Sequence, residues 1–347
     1  MIRIMEVCGT HTMEIARAGI RSLLPEGVRL VSGPGCPVCV TPPGTIDAVL
    51  ALTEDPERII ATYGDMMRVP GSVRGDSLLA RRAAGADVRM VYSALDAVQI
   101  AKDNPAREVI FLGVGFETSA PGTAYAVAAA SRDNVKNFSV FSMLKRLEPS
   151  VRALAKDPAF NINAFLAPGH VAVILGEEGL RFFEELGFPA VIAGFEPEEI
   201  ARAVTMLLAQ IREGRTQLEN AYPSVVSKTG NIKAREVIAK YLMPRRDNWR
   251  GLGSIEDSGY GIREAYADFD AEIRFGIKIT EPAVKSACRC GDVIQGKIEP
   301  AQCPLFGRGC DPSYPEGPCM VSAEGACAAA YKYANLQSRA GLPEGTS

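Results

Sequence analysis

The nine cysteines of this chain stand in two groups, one near each end. Cys8, Cys36 and Cys39 lie in the first 39 residues, and the other six lie in the last 60. Beyond residue 279 the sequence is rich in glycine, proline and cysteine and has little periodic apolar pattern. Such a segment cannot bury a core of its own, so a metal or a cluster must organise it. This region is therefore expected to fold around a ligand.

The remaining composition is that of a globular protein with balanced charge. Over 347 residues, 38 basic and 41 acidic side chains give a net charge of -3, and no basic run indicates nucleic-acid binding. The first residues lack the long apolar region of a signal peptide, and no apolar run is long enough to span a membrane. We expect a soluble protein of the cytoplasm. Thiols stay reduced in that compartment, so metal binding or redox chemistry explains the nine cysteines better than structural disulfides do.

Short apolar segments alternate with helical patterns and predict an α/β fold with parallel sheets. Residues 108–114 form the clearest buried strand. A strand followed by Pro-Gly and a candidate ligand occurs before Cys36 and again before His170, which suggests an internal duplication. We predict two parallel-sheet α/β domains facing a cleft, at residues 1–125 and 126–225, followed by a cysteine-rich C-terminal region at 226–347.

Cys36 and Cys39 form a Cys-x-x-Cys pair on a predicted strand-to-helix loop. In open α/β sheets such loops lie where ligands bind, and a thiol near a helix N-terminus has a lowered pKa. The pair is a candidate redox couple or half of a metal site. The alternative is two buried cysteines in a tight turn.

Cys8 occupies a similar junction, three residues before His11. The imidazole could act as a base for the thiol, or the two side chains could bind iron or zinc together. The alternative is a capping turn with a solvated histidine.

Three further polar residues follow predicted strands: Asp65, Glu117 and His170. Asp65, with Arg68 nearby, could hold an anion or form a surface ion pair. Glu117 could line the cleft or cap a helix. His170 could serve the site or only hydrogen-bond within a turn.

The six C-terminal cysteines offer several sets of four ligands, suited to zinc or to an iron–sulfur cluster. Neither the paired Cys-x-x-Cys of zinc ribbons nor a common ferredoxin spacing is present, so the residues leave the metal open. Residues 249–253, which contain the only tryptophan, suggest no chemistry of their own.

Several motifs, in this order, resemble the hydrogenase maturation factor HypD family over nearly the whole chain. They are Met5-Glu6-Val7-Cys8-Gly9-Thr10-His11-Thr12, Gly33-Pro34-Gly35-Cys36-Pro37-Val38-Cys39, Gly115-Phe116-Glu117-Thr118, Pro168-Gly169-His170-Val171 and Trp249-Arg250-Gly251-Leu252-Gly253. The chain departs from the family pattern at Met13, where histidine is usual, and at Ala172, where serine is usual.

The resemblance implies two α/β domains and an iron–sulfur domain. It also implies a HypC-type chaperone and a HypE-type cyanide donor as partners. The function implied is that of a scaffold on which iron acquires cyanide and carbon monoxide for nickel–iron hydrogenase. The family's cluster pattern, Cys-x12-Cys-x6-Cys-x16-Cys, implies a [4Fe-4S] cluster and leaves Cys288 and Cys319 as a spare thiol pair. The implied cluster ligands are Cys290, Cys303, Cys310 and Cys327.

Our hypothesis is that mononuclear iron binds in the cleft to Cys8 and to one thiol of the Cys36/Cys39 pair. Electrons would pass from the C-terminal cluster to that pair. The side chains expected to supply protons or hydrogen bonds are those of His11, His170, Asp65 and Glu117. The alternatives are a cluster-dependent thiol–disulfide oxidoreductase and a zinc-stabilised binding module.

Overall fold

The computed structural model describes residues 1–282 and 286–339, with side chains up to residue 333. The strands are β1 (Ile2–Glu6), β2 (Val28–Ser32), β3 (Arg58–Thr62), β4 (Val88–Met90), β5 (Glu108–Gly115), β6 (Phe138–Leu144), β7 (Ala164–Pro168), β8 (Ala190–Ala193), β9 (Leu218–Asn220), β10 (Leu242–Trp249) and β11 (Gly253–Ile262). The helices are α1 (Gly9–Arg17), α2 (Pro43–Leu52), α3 (Leu78–Ala83), α4 (Ala94–Asp103), α5 (Ala120–Arg132), α6 (Leu147–Ala155), α7 (Gly169–Leu175), α8 (Phe182–Glu185), α9 (Pro197–Glu213), α10 (Ile232–Tyr241), α11 (Ala271–Arg274), α12 (Cys290–Val293) and α13 (Ala326–Arg339).

Two parallel sheets form the body of the molecule. The first has the strand order β2-β1-β7-β8-β9, and the second has the order β4-β3-β5-β6. β5 of the second sheet and β7 of the first are almost continuous apolar runs and are almost entirely buried, because helices cover both faces of a parallel sheet. The predicted α/β class with two parallel sheets and a cysteine-rich C-terminal region is confirmed.

The two sheets are not formed by the two consecutive stretches of chain that the predicted division at residues 125 and 225 implies. β1 pairs with β2 on one side and with β7, which begins after residue 160, on the other, whereas the second sheet comes from one continuous stretch, β3 to β6. Residue 125 falls inside α5, between the paired strands β5 and β6. The chain leaves the first sheet after α2, completes the second sheet and then returns.

β10 and β11 form an antiparallel hairpin that the sequence did not predict. The hairpin packs on the end of the second sheet, where Ser142 Oγ donates a hydrogen bond to the Tyr260 carbonyl at 2.5 Å. β10 carries Pro244 and three consecutive charged residues, so its apolar alternation is weak.

The part of the C-terminal region that carries the cysteines has short helical turns from α12 up to the longer helix α13, and it packs on both sheets. Its buried cysteines share one apolar core with Val38 of the Cys-x-x-Cys loop and Phe141 of β6. In the part of the chain that the structure describes, we find no helix with the length and apolar character needed to cross a membrane.

Candidate functional site

Cys8 and the Cys-x-x-Cys loop meet because β1 and β2 are neighbouring parallel strands. Their carboxyl ends lie at one edge of the first sheet, and the Gly9 amide donates a hydrogen bond to the Gly35 carbonyl at 3.1 Å. A Cβ atom on Gly35 would lie 2.2 Å from the Cys8 nitrogen. Only glycine permits this approach, so Gly35 brings the two cysteine loops into backbone contact.

Cys36 and Cys39 are joined as a disulfide, with their Cα atoms 5.2 Å apart. Both are buried, and the Cys39 amide donates to Cys36 Sγ at 3.1 Å. The loop therefore accommodates the oxidised form of a Cys-x-x-Cys couple.

A loop of the C-terminal region reaches the same place. Ser322 Oγ lies 3.4 Å from Cys36 Sγ and donates to Asp65 Oδ2 at 3.1 Å, and the Ala323 amide donates to the same oxygen at 3.0 Å. The structure thus places Asp65, a predicted site residue, next to the Cys-x-x-Cys loop through Ser322.

Glu324 from this loop lies beside Cys8. Its Oε1 accepts a hydrogen bond from Thr10 Oγ1 at 2.9 Å, and a Cβ on Gly9 would lie 2.4 Å from the Glu324 Cβ. Burial, reinforced by the Glu324 charge, raises the pKa of the Cys8 thiol to about 12. Burial also raises the pKa of Glu324. A protonated thiol next to a carboxylate can transfer its proton to that carboxylate when a metal cation binds the sulfur, because metal ligands must be deprotonated.

Sequence reasoning missed both Ser322 and Glu324. They are isolated polar residues between Cys319 and Cys327, in no motif that points to chemistry.

The two histidines both stack on the Phe195 ring. The His11 ring stacks on it at 4.7 Å between centroids and the His170 ring at 3.9 Å. His11 is buried, and its Nε2 is 2.9 Å from the Gly194 carbonyl, while Nδ1 has no partner among the described residues. Burial lowers the pKa of His11 to about 4. His11 is thus a neutral ring bonded to the loop after β8, and His170 is the exposed member of the stack.

Glu117 lies at the carboxyl end of β5 in the second sheet. Its Oε1 accepts the Leu147 amide at 3.0 Å, at the start of α6, while Oε2 has no partner among the described residues. Burial raises the pKa of this carboxyl to about 7. No hydrogen bond within the described residues joins it to a cleft cysteine, so its visible contact is helix capping.

The six C-terminal cysteines line one small cavity. Cys288 forms a hydrogen bond with Cys290, which lowers the pKa of the Cys290 thiol, and Cys319 forms one with Cys327. Cys288 and Cys319, the predicted spare pair, thus each bond to a predicted cluster ligand. Four of these sulfur atoms thus form two pairs, and in the described residues no three histidine, cysteine or acidic side chains converge as a ready metal site. As a donor set, soft thiolates around one cavity suit an iron–sulfur cluster or zinc.

Fold and site together define a class: a two-sheet α/β protein whose cysteine-rich C-terminal region packs against the loops of Cys8 and of the Cys36–Cys39 pair. The family model HypD, described as "Hydrogenase formation hypA family", matches residues 1–334. The chain therefore belongs to the HypD family, as its motifs predicted.

Curated relatives extend the similarity to nearly full length. The chain is 45% identical to hydrogenase maturation factor HypD2 of Bradyrhizobium diazoefficiens, over 96% of this chain and 90% of that protein. It is also 45% identical to the factor HypD of Escherichia coli (strain K12), over 98% of this chain and 91% of that protein. A third relative, the hydrogenase maturation factor HypD of Rhodobacter capsulatus, is 45% identical over 97% of this chain and 90% of that protein.

Proposed function

We propose that this protein acts in hydrogenase maturation as the scaffold on which iron acquires cyanide and carbon monoxide, forming the Fe(CN)2CO group of nickel–iron hydrogenase. The relatives named above are hydrogenase maturation factors. The observation that carries the proposal is the meeting of Cys8, the Cys36–Cys39 pair and Glu324 at one sheet edge.

Iron is the cargo of this site, bound by Cys8 and by one thiol of the Cys36/Cys39 pair. Glu324 accepts the Cys8 proton as the metal binds, and Asp65 orients Ser322 against Cys36. A disulfide offers no thiolate, so Cys36–Cys39 must first take up two electrons and two protons to become two thiols.

Three predicted residues supply protons or hydrogen bonds around this centre in the proposal. His11 and His170 do so from their stack on Phe195. Glu117, with a pKa of about 7, is half protonated near neutrality, which suits proton transfer.

The C-terminal region holds a [4Fe-4S] cluster in this proposal. Its support is the shared cavity of the cysteines and their thiolate chemistry. When bound, the cluster supplies electrons one at a time. The ligands proposed are Cys290, Cys303, Cys310 and Cys327. The partners are a HypC-type chaperone, which shares the iron, and a HypE-type cyanide donor, and the setting is the reducing cytoplasm, where free thiols persist.

The test is infrared spectroscopy with metal analysis on the anaerobically purified complex. Cys8→Ala should abolish the iron cyanide bands and keep the visible absorption of the cluster. Cys290→Ala should remove that absorption, which shows that the two measurements report separate sites. Unchanged cyanide bands in Cys8→Ala would contradict the assignment of Cys8.

A second candidate, a cluster-dependent thiol–disulfide oxidoreductase, is favoured by the disulfide between Cys36 and Cys39. It predicts disulfide turnover on an outside protein, no mononuclear iron and little dependence on Cys8. A zinc-stabilised binding module would contain zinc and show no visible absorption.

A further inference from the structure

Residues 249–253, which form the turn between β10 and β11 together with its two flanking strand residues, lie between the two groups of cysteines. Neither the sequence nor the proposed function gives this turn a role. Its contacts are with the loop after Cys39, with the segment after Cys290 and, through its base, with the end of β6 in the second sheet.

Arg250 binds the loop that follows Cys39. Its backbone amide donates to the Val40 carbonyl at 2.7 Å, and its Nε donates to the Thr41 carbonyl at 3.0 Å. Val40 and Thr41 are both fully buried. Water cannot readily replace a donor to a buried carbonyl, so each bond constrains the loop.

Gly251 binds the segment that follows Cys290. Its carbonyl accepts from Gln295 Nε2 at 3.0 Å, and the same amide donates to the Gly291 carbonyl at 2.8 Å. Gly251 has φ +80°, and a Cβ there would lie 2.8 Å from Gly291 Cα. The two backbones are thus in direct contact, and the Arg250 charge acts on the neighbouring Cys288 and Cys290 thiols.

The base of the turn is fixed by buried groups. Trp249 is 2% exposed, and its Nε1 donates to Ser258 Oγ at 2.9 Å. Lys145, at the end of β6, is buried and pairs with Asp247 at 2.6 Å. The turn is therefore a rigid connection, because its anchors cannot move without exposing an indole or separating a buried ion pair.

We propose that Arg250 is a positioning residue, which holds the loop after Cys39 against the C-terminal thiols and thereby sets the stability of the Cys36–Cys39 disulfide. The inference rests on the proposed role of this pair as a redox couple. Without the guanidinium, the Thr41 carbonyl loses its donor and the loop loosens. The two sulfur atoms then meet less often, which favours the dithiol over the disulfide.

The test measures the redox equilibrium of this pair in the purified full-length protein. Variants are equilibrated anaerobically in dithiothreitol buffers, and the oxidised fraction of Cys36–Cys39 is read by differential alkylation and peptide mass spectrometry. Arg250→Met should lower the equilibrium constant for disulfide formation about tenfold, as expected for loss of one buried hydrogen bond. Arg250→Lys, whose ammonium can reach the same carbonyl, should recover part of this change.

Arg246→Met is the matched control, since Arg246 lies on the same hairpin but is exposed and pairs with the exposed Glu256. It should behave as the wild type. A wild-type equilibrium constant in Arg250→Met, or an equal shift in Arg246→Met, would overturn the proposal. Thermal unfolding and Trp249 fluorescence report whether each variant folds. If Arg250→Met does not fold, Arg250→Lys decides: a shift of about threefold supports the proposal and a wild-type value overturns it.

The measurement needs neither iron nor cyanide. Absence of iron cyanide bands from the wild-type complex would therefore count against the scaffold function alone, and leave the role of Arg250 to be judged by the disulfide equilibrium.

Discussion

Ser322 Oγ lies 3.1 Å from Asp65 Oδ2, although 257 residues separate the two in sequence. Asp65 follows β3 of the second sheet, and Ser322 belongs to the C-terminal loop that touches Cys36. Hydrogen bonds to a charged acceptor contribute about 1.5 to 3 kcal/mol. This pair therefore anchors the loop that packs against Cys36.

Asp65→Ala should release that loop. The Ala323 amide, which donates to Asp65 Oδ2 at 3.0 Å, should exchange its hydrogen at least about tenfold faster. Hydrogen-exchange mass spectrometry on peptides spanning residue 323 checks this. The control is Asp103→Ala, an exposed carboxylate at the end of α4. Equal protection of Ala323 in both variants would show that Asp65 does not anchor the loop.

Glu324→Gln should make Cys8 more reactive. The neutral amide keeps the Thr10 hydrogen bond but removes the negative charge that helps raise the pKa of Cys8. More thiolate then forms at a given pH, so carboxymethylation of Cys8 at pH 8.5 should be about threefold faster. Peptide mass spectrometry gives the rate, and Glu14→Gln, on the partly exposed side of α1, is the control. A slower reaction would mean that Glu324 promotes ionisation of the thiol in the metal-free protein.

Glu117→Gln should flatten the pH dependence of stability. The folded carboxyl has a pKa of about 7 against an ordinary value of 4.5, so the folded state holds an extra proton between these values. Stability contributed by this proton is present below pH 4.5 and is lost as pH rises to 7. The wild type should lose on the order of 3 kcal/mol more than the variant between pH 4 and pH 8.

Urea unfolding at several pH values measures that difference. Glu236→Gln, an exposed carboxylate on α10, should retain the wild-type slope. If the free energy of unfolding changes with pH equally in Glu117→Gln and in the wild type, the Glu117 carboxyl is ionised in the folded protein.

Lys145→Met should destabilise the fold by about 3 to 5 kcal/mol, because it leaves Asp247 as an uncompensated charge in a largely buried place. The double variant Lys145→Met/Asp247→Leu should recover part of the loss, since neither charge remains. Urea unfolding measures both. Arg246→Met, which breaks an exposed pair, should cost less than about 1 kcal/mol. If Lys145→Met lowers the free energy of unfolding no more than Arg246→Met does, Asp247 has found another partner.

Much of the sheet structure could be predicted from sequence, because apolar runs flanked by glycine and proline mark buried parallel strands. β5 lies where its run of valine, isoleucine and phenylalanine places it. β9 was missed because its three residues carry no such run, and β10 because proline and charges interrupt its alternation. The strand order was not accessible, since nothing local in β1 states that its second neighbour is β7.

The candidate site divides in the same way. The contact between the Cys8 loop and the Cys36 loop follows from two predicted strand-to-helix junctions at one sheet edge. The arrival of Ser322 and Glu324 depends on how the C-terminal region packs, and single polar residues leave no trace of such packing in sequence. For His11 the sequence suggested a residue role and the packing gave a different contact. The spacing indicated a possible base for Cys8, whereas Nε2 of His11 bonds to the Gly194 carbonyl.

The split first sheet affects the newborn chain. β1 and β2 leave the ribosome before β7, the other neighbour of β1, which is made more than 130 residues later, roughly 7 to 30 seconds at ordinary translation speeds. The second sheet is contiguous and can form during that wait. Cys8, Cys36 and Cys39 meanwhile stay open to cellular oxidants and stray metals, and the cover provided by Ser322 and Glu324 comes last of all.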